Sequence, residues 1–294
     1  MTTPAQHRHV LGDEFAAARA PRVTPGLIAV APETGDSAMF RDAVERAGGV
    51  VAPLSADTRG LIWLTYARAD ELSATLEANP QISWVQLPWA GVDAFADPVR
   101  DHARPDRVFT SAKGAYAQPV AEHALGMIIA LLRAFPRRAR LTRWDDRMIG
   151  TSLYGRRVTI VGAGGIAREM MRLLAPFDVA ITIVRRTDHP VDGAEQTLTT
   201  DRLPDILDTT DVLVIAAAHT AETRHLISTR EFERMKPDAV VVNIARGPLI
   251  DAAALEHALR NELIAGAALD VTDPEPLPEG HPLWSAPNIL ITPH

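Results

Sequence analysis

Short runs of aliphatic and β-branched residues recur along the chain. Segments with apolar residues on one helical face separate them. Leu27-Ile28-Ala29-Val30 is the first run and reads as a short buried strand. A helix is predicted over 37–47, with Asp36 as its cap and Gly48-Gly49 as its stop. Val50-Val51 gives a weak strand, and stronger ones follow at 60–66, 83–87 and 108–110. Between them a helix over 70–78 ends before Asn79-Pro80. Residues 1–23 read as a loosely attached extension with one helical turn at 14–19. Strands alternating with helices indicate a parallel α/β arrangement.

The second half repeats the alternation with more strands. A long apolar helix is predicted over 119–135, followed by Arg137-Arg138-Ala139-Arg140, which reads as a solvated face. The stretch to Leu153 is irregular, either a crossover between domains or an arm against a partner subunit. Six strands then follow, at 158–161, 180–184, 212–216, 239–244, 266–269 and 289–291, with helices at 168–175, 203–207, 230–235 and 252–261. This pattern fits a doubly wound dinucleotide-binding sheet, whose ligands lie beyond the C-terminal strand ends. The expected division is a first domain over 1–117 and a dinucleotide domain over 118–294.

Composition narrows the class. With 294 residues, 47% hydrophobic and 23% charged, the chain is long enough for two globular domains. A net charge of −7 argues against a general nucleic-acid or anionic-membrane binder. No apolar run reaches the ~18 residues of a membrane span, and the N-terminus lacks the apolar core of a signal peptide. Cysteine is absent, which excludes a disulfide framework and a thiolate nucleophile and fits a cytoplasmic location. Lys113 and Lys236 are the only lysines, so nearly all positive charge is arginine.

Candidate chemistry begins where the strand at 158–161 ends. Gly162, Gly164 and Ala167 form G-x-G-x-x-A, with Gly165 and Ile166 inside the motif as coenzyme-binding candidates and a helix-like segment following from Arg168. Gly162 permits the sharp turn, Gly164 lets a pyrophosphate approach the backbone, and the small Ala167 lets helix and strand pack closely. The next strand ends in Arg185-Arg186-Thr187. An acidic residue there would bind ribose hydroxyls, whereas two guanidinium groups suit a 2′-phosphate. NADP(H) is therefore the expected coenzyme, with NAD(H) left open. The chain has no Tyr-x-x-x-Lys, which disfavours the other large class of Rossmann reductases, and no H-E-x-x-H.

Three further strand ends are polar: Asn243-Ile-Ala-Arg246-Gly247-Pro-Leu-Ile-Asp251, Leu269-Asp270-Val-Thr-Asp-Pro-Glu275-Pro276 and Ile291-Thr292-Pro293-His294. Together with His281-Pro-Leu-Trp284, Trp89-Ala90-Gly91-Val-Asp93, Gly114 and Val120-Ala-Glu122-His123, they resemble the D-isomer-specific 2-hydroxyacid dehydrogenase family from about Leu27 to His294. The resemblance implies a flavodoxin-like substrate domain, a Rossmann domain and an active site in the cleft between them. It implies His294 as acid/base, Glu275 as its partner and Arg246 as binder of a 2-keto or 2-hydroxy acid. Ala90 and Gly91 would hold the substrate carboxylate, beside Trp89. Asp270 would lie near the nicotinamide, and His219, Thr220, Thr223 and Ala245 beside the coenzyme. The chemistry agrees: an imidazole titrates near neutrality, a buried carboxylate would hold it as imidazolium, and an arginine can grip a carboxylate and a developing alkoxide.

Trp284 either walls the substrate pocket or packs in the core. His123 reads as a helix residue that packs or hydrogen-bonds, and His225 and His257 as surface positions. Members of the family it resembles continue past the position of His294 through a helix that returns to the first domain, so that helix is expected to be missing here. A homodimer built through the coenzyme domain and 120–150 is implied. The reading most like this sequence is a glyoxylate/hydroxypyruvate reductase. A dehydrogenase for a bulkier acid and a non-catalytic nucleotide-sensing dimer of corepressor type stay open. Exchanging Arg185 and Arg186 for Asp and Ser is expected to reverse the NADPH/NADH ratio of kcat/KM; an unchanged ratio rejects the 2′-phosphate assignment.

Overall fold

The computed structural model describes residues 23–294, and the helical turn expected at 14–19 lies outside them. The chain is an α/β protein with two parallel sheets in two compact units, divided after Tyr116. In the first, β1 (Leu27–Ala31), β2 (Thr58–Trp63), β3 (Trp84–Gln86) and β4 (Val108–Thr110) lie in sequence order, with helices α1 (Ser37–Arg46), α2 (Ala69–Ala78) and α3 (Ala96–Asp101). Leu61, Val85, Leu72, Leu76 and Phe95 are fully enclosed and form its core.

Three local expectations change here. Val50-Val51 is not a strand: Val51 makes only a single parallel bridge to Ile28, on the free side of β1. Pro53 lies two residues on, and its ring disfavours continuation of the strand. Asp36 stands at the start of α1 but its side chain caps nothing; the Ser37 hydroxyl instead accepts from the Thr34 N–H at 2.8 Å. Helix α3 was not anticipated, because its sequence, Ala-Asp-Pro-Val-Arg-Asp, has too few apolar positions to show a helical period.

The second unit is built on seven parallel strands. After α4 (Ala117–Leu132) and the short α5 (Phe135–Arg138) come β5 (Arg157–Val161), α6 (Gly165–Leu174), β6 (Ala180–Arg185), β7 (Gln196–Thr199) and β8 (Val212–Ile215). The chain ends with α7 (Thr229–Phe232), β9 (Val240–Asn243), α8 (Ala252–Arg260), β10 (Gly266–Leu269) and β11 (Ile289–Ile291). The strand order is β11-β10-β9-β8-β5-β6-β7. The chain thus winds one way from β5 to β7 and the other way from β8 to β11, leaving a topological switch between β5 and β8. Six strands were expected; the seventh, β7, is a partly exposed edge strand of sequence Gln-Thr-Leu-Thr, without an apolar run. The expected helix at 203–207 is a pair of 3-10 turns, Thr200–Asp205 and Leu207–Thr209.

Strands β8, β9 and β10 are buried at every position, as a sheet covered on both faces requires. Val212 and Val214 pack with Ile128 and Leu131 of α4 and Met170 and Leu174 of α6. Leu213 and Ile215, pointing the other way, pack with Phe232 of α7 and Leu255 and Leu259 of α8. At the N-terminal end of the sheet, Asp211 ties three segments together. Its carboxylate accepts from the Arg157 N–H at 2.8 Å and from Lys236, with Arg156 at 3.4 Å. Burial pushes this carboxyl up, but the Arg157 amide, Lys236 and Arg156 outweigh it and hold it below the usual range.

A carboxyl depressed on folding stabilises above its unfolded value and loses that contribution as pH falls through its folded one. Asp211→Asn is therefore expected to cost about 1–3 kcal/mol near neutrality. It should also flatten the fall of Tm on the acid side, read by thermal melts from pH 7 downward.

Candidate active site

The strand ends of the second sheet carry the expected groups in two sets, one on each side of the switch. At the end of β5 the chain turns at Gly162, whose φ is 117°. A Cβ there would lie 2.4 Å from the Ala216 carbonyl oxygen, just past β8, so only glycine fits. Gly164 is extended and precedes the first turn of α6, and a Cβ on it would meet nothing within 4 Å. The space over this turn is open, while the amides of Gly165 and Ile166 begin the helix and lack intrahelical acceptors. Ala167 is buried against the sheet, in keeping with its small side chain.

Arg185 ends β6, partly buried, and Arg186 follows it exposed. The Thr187 hydroxyl is buried and has no hydrogen-bond partner among the described residues. An orphaned donor beside two guanidinium groups and an open glycine turn suits the phosphate and ribose oxygens of a dinucleotide. Beyond β8, the Thr223 hydroxyl accepts from the Thr220 N–H at 2.7 Å and donates to the Ala218 carbonyl at 2.9 Å, which shapes the loop carrying His219. The exposed Glu222 carboxyl there is held low by the Thr220 hydroxyl first and by its own backbone N–H, with Arg186 adding to the effect.

The second set lies on β9, β10 and β11, which are adjacent in the sheet. Asn243 ends β9 fully buried. Its side chain donates to the Arg246 carbonyl at 2.9 Å and accepts from the Ala245 N–H at 3.1 Å, folding the chain into the turn that presents Arg246. The Arg246 guanidinium donates back to the Ala245 carbonyl at 2.7 Å. Gly247 sits so close to the segment after β10 that a Cβ would fall 1.9 Å from the Thr272 carbonyl oxygen. That segment carries Asp270 and Glu275. The Glu275 carboxylate lies 2.7 Å from His294 Nδ1, beyond β11, and its other oxygen accepts from the Thr272 N–H at 3.4 Å. The Thr292 hydroxyl donates to Asp270 at 2.7 Å.

One expectation changes at this site, and one open alternative closes. Glu275 is not buried: its side chain is 42% exposed and that of His294 50%. Its orientation comes from the Thr272 N–H and the imidazole rather than from enclosure. Trp284 is not a core residue; its ring is about half exposed and its indole N–H donates to the Pro278 carbonyl at 2.9 Å. His225 and His257 are exposed, as expected. Asn243 and Thr292 were missed as supports, because their roles rest on contacts to backbone and to a distant strand end. In the first unit, Trp89, Ala90 and Gly91 follow β3 at the C-terminal end of its sheet. There the Trp89 ring lies 5.9 Å from that of Tyr116. Among the described residues no group of histidines and carboxylates could hold a metal ion, and no helix is long and apolar enough to cross a membrane.

Residues 125–294 match the family described as D-isomer specific 2-hydroxyacid dehydrogenase, NAD binding domain. The sequence is 39% identical over 220 residues to an uncharacterized protein of Corynebacterium melassecola encoded in the proB 3′ region, covering 72% of this chain and 71% of that protein. It is 32% identical over 237 residues to a glyoxylate reductase of Thermofilum pendens, covering 76% and 69%. The fold is similar to that of a D-isomer specific 2-hydroxyacid dehydrogenase from Xanthobacter autotrophicus Py2, solved in complex with NADPH and MES. That likeness has a TM-score of 0.78 at 27% identity, over 92% of this chain and 88% of that one.

The two glycines predict opposite outcomes. Gly247→Ala must push the Arg246 turn away from the Thr272–Glu275 segment, at about 1–3 kcal/mol of stability and about a hundredfold in turnover. Gly164→Ala should keep the wild-type Tm and lose coenzyme affinity, because its methyl group points into open space. Melting curves and coenzyme titrations of both variants check this.

Proposed function

Because the chain belongs to the D-isomer specific 2-hydroxyacid dehydrogenase family, we propose that it is an NADP(H)-preferring reductase of a small 2-keto acid of the glyoxylate or hydroxypyruvate kind. The observation that carries the catalytic part is the 2.7 Å contact of His294 Nδ1, beyond β11, with Glu275, beyond β10, whose strand end neighbours the one presenting Arg246.

When bound, the coenzyme supplies or takes the hydride at the substrate's C2. Gly162, Gly164, Gly165 and Ile166 take its pyrophosphate, and Arg185, Arg186 and Thr187 its 2′-phosphate and ribose. The likeness to a structure solved with NADPH supports that preference. His219, Thr220, Thr223 and Ala245 flank the coenzyme, and the Asp270 carboxylate orients the nicotinamide amide. Arg246 grips the substrate carboxylate and keto oxygen and stabilises negative charge as it develops there.

Glu275 accepts the Nδ1–H of His294, which leaves Nε2 as the nitrogen that gives up a proton. In reduction the imidazolium passes its Nε2 proton to the oxygen of C2 as that carbon takes the hydride and becomes the carbon of the 2-hydroxy group. In oxidation the neutral ring takes the same proton back. The exposed apolar side chains of the 135–154 segment, with Trp144 92% and Met148 101% exposed, support a homodimer joined through this region.

NADPH oxidation by the full chain is expected with glyoxylate or hydroxypyruvate, at a higher kcat/KM than with phenylpyruvate. His294→Asn should lower kcat by about a hundredfold or more while NADPH binding stays intact. Absence of turnover with every 2-keto acid, in a protein that still binds NADPH, would favour a nucleotide-sensing role instead.

A further inference from the structure

His123 lies on α4, far in sequence from the catalytic strand ends, yet it reaches them. Its Nε2 is 3.1 Å from the Thr292 hydroxyl, 169 positions away, and 3.4 Å from an Asp270 oxygen. The Thr292 hydroxyl already gives its hydrogen to the same Asp270 oxygen at 2.7 Å. Toward His123 the hydroxyl therefore offers only a lone pair, and the carboxylate offers nothing else. Both neighbours of Nε2 are acceptors, which fixes a proton on Nε2. The Asp270 carboxylate, mostly buried with a side chain 16% exposed, thus faces one full donor and a second within reach.

The same three residues join three elements. The Thr292 N–H donates to the Leu269 carbonyl at 3.0 Å, and the Asp270 N–H donates to the Asn243 carbonyl at 2.9 Å. Thr292 precedes His294 by two residues, and Asp270 directly follows β10. A displacement of the hydroxyl would move the carboxylate assigned to the nicotinamide and the backbone leading to the acid/base histidine together. Elsewhere along α4, Ile128 and Leu131 pack on the sheet through apolar contacts.

We infer that His123 is a positioning residue for hydride transfer: its Nε2–H, through the Thr292 hydroxyl, sets the Asp270 carboxylate and the Thr292–His294 segment. The inference rests on the roles proposed above for Asp270 and His294.

Two readouts separate it from a packing role: NADPH affinity, measured by fluorescence titration without substrate, and kcat with glyoxylate. His123→Ala should weaken NADPH binding and lower kcat, each about tenfold. His123→Gln, which can place an amide N–H near the position of Nε2, should restore both to within about threefold. Thr292→Val should reproduce the alanine variant, and adding His123→Ala to it should change little further, because the two act through one contact. His294→Asn should lower kcat and leave NADPH affinity untouched. If that variant keeps its kcat while the His123 series still loosens NADPH, the acid/base assignment falls and the positioning role stands. Wild-type affinity and kcat in His123→Ala would overturn the inference. So would equal losses in the alanine and glutamine variants that track a lowered Tm.

Discussion

The site depends on two places where backbones meet with no room for a side chain. At the first, Gly162 passes the Ala216 carbonyl beyond β8; at the second, Gly247 passes the Thr272 carbonyl beyond β10. Each closes a gap between neighbouring strand ends. The first brings the turn before α6 over the topological switch, where the sheet opens a crevice. The second locks the Arg246 turn against the segment holding Asp270 and Glu275. Hydrogen bonds then fix what contact has brought near: the Asn243 side chain braces the turn from beneath, and the Thr272 N–H meets Glu275. Glu275 and His294 are about half-exposed, but Asn243, Gly247 and Thr272 beneath them are buried and have little freedom.

Strand order divides the labour. The residues assigned to phosphate and ribose end β5 and β6, and those assigned to chemistry end β9, β10 and β11. From β6 to β11 the sheet crosses five strand spacings, roughly 24 Å at the usual separation of parallel strands. Only an extended ligand reaches both sets, which accords with a dinucleotide lying across the switch. Asp211 holds the opposite end of the sheet, where β5, β8 and the start of β9 must stay in register for the two glycine contacts to coincide.

Much of this was legible in the sequence because it is written in local patterns. The buried strands β8 and β9 are continuous aliphatic runs, and the glycine turn and the three polar strand ends are contiguous motifs. What was not legible has physical reasons. β7 is a short polar edge strand whose pairing, not its composition, makes it a strand. Val50-Val51 looks like a strand but is cut short by the proline at 53. The start of α6 falls at Gly165 rather than at 168, because a glycine with poor helix propensity is needed where the chain leaves the turn. The burial expected of Glu275 does not occur, because proline-rich loop chain surrounds it rather than helix or strand. The approach of His123 to Thr292 joins residues from opposite ends of the second unit and leaves no periodic trace in either.

The sheet borders described above also bear on how copies of this chain can associate. The larger sheet is bounded by β7, four residues with a polar sequence, and by β11, three residues long. In the smaller sheet β4 has three residues, and the outer side of β1 is met by the lone bridge from Val51. Such borders offer little ladder for an incoming strand, a common defence against fibrillar growth. Growth of the assembly by sheet extension is thereby disfavoured.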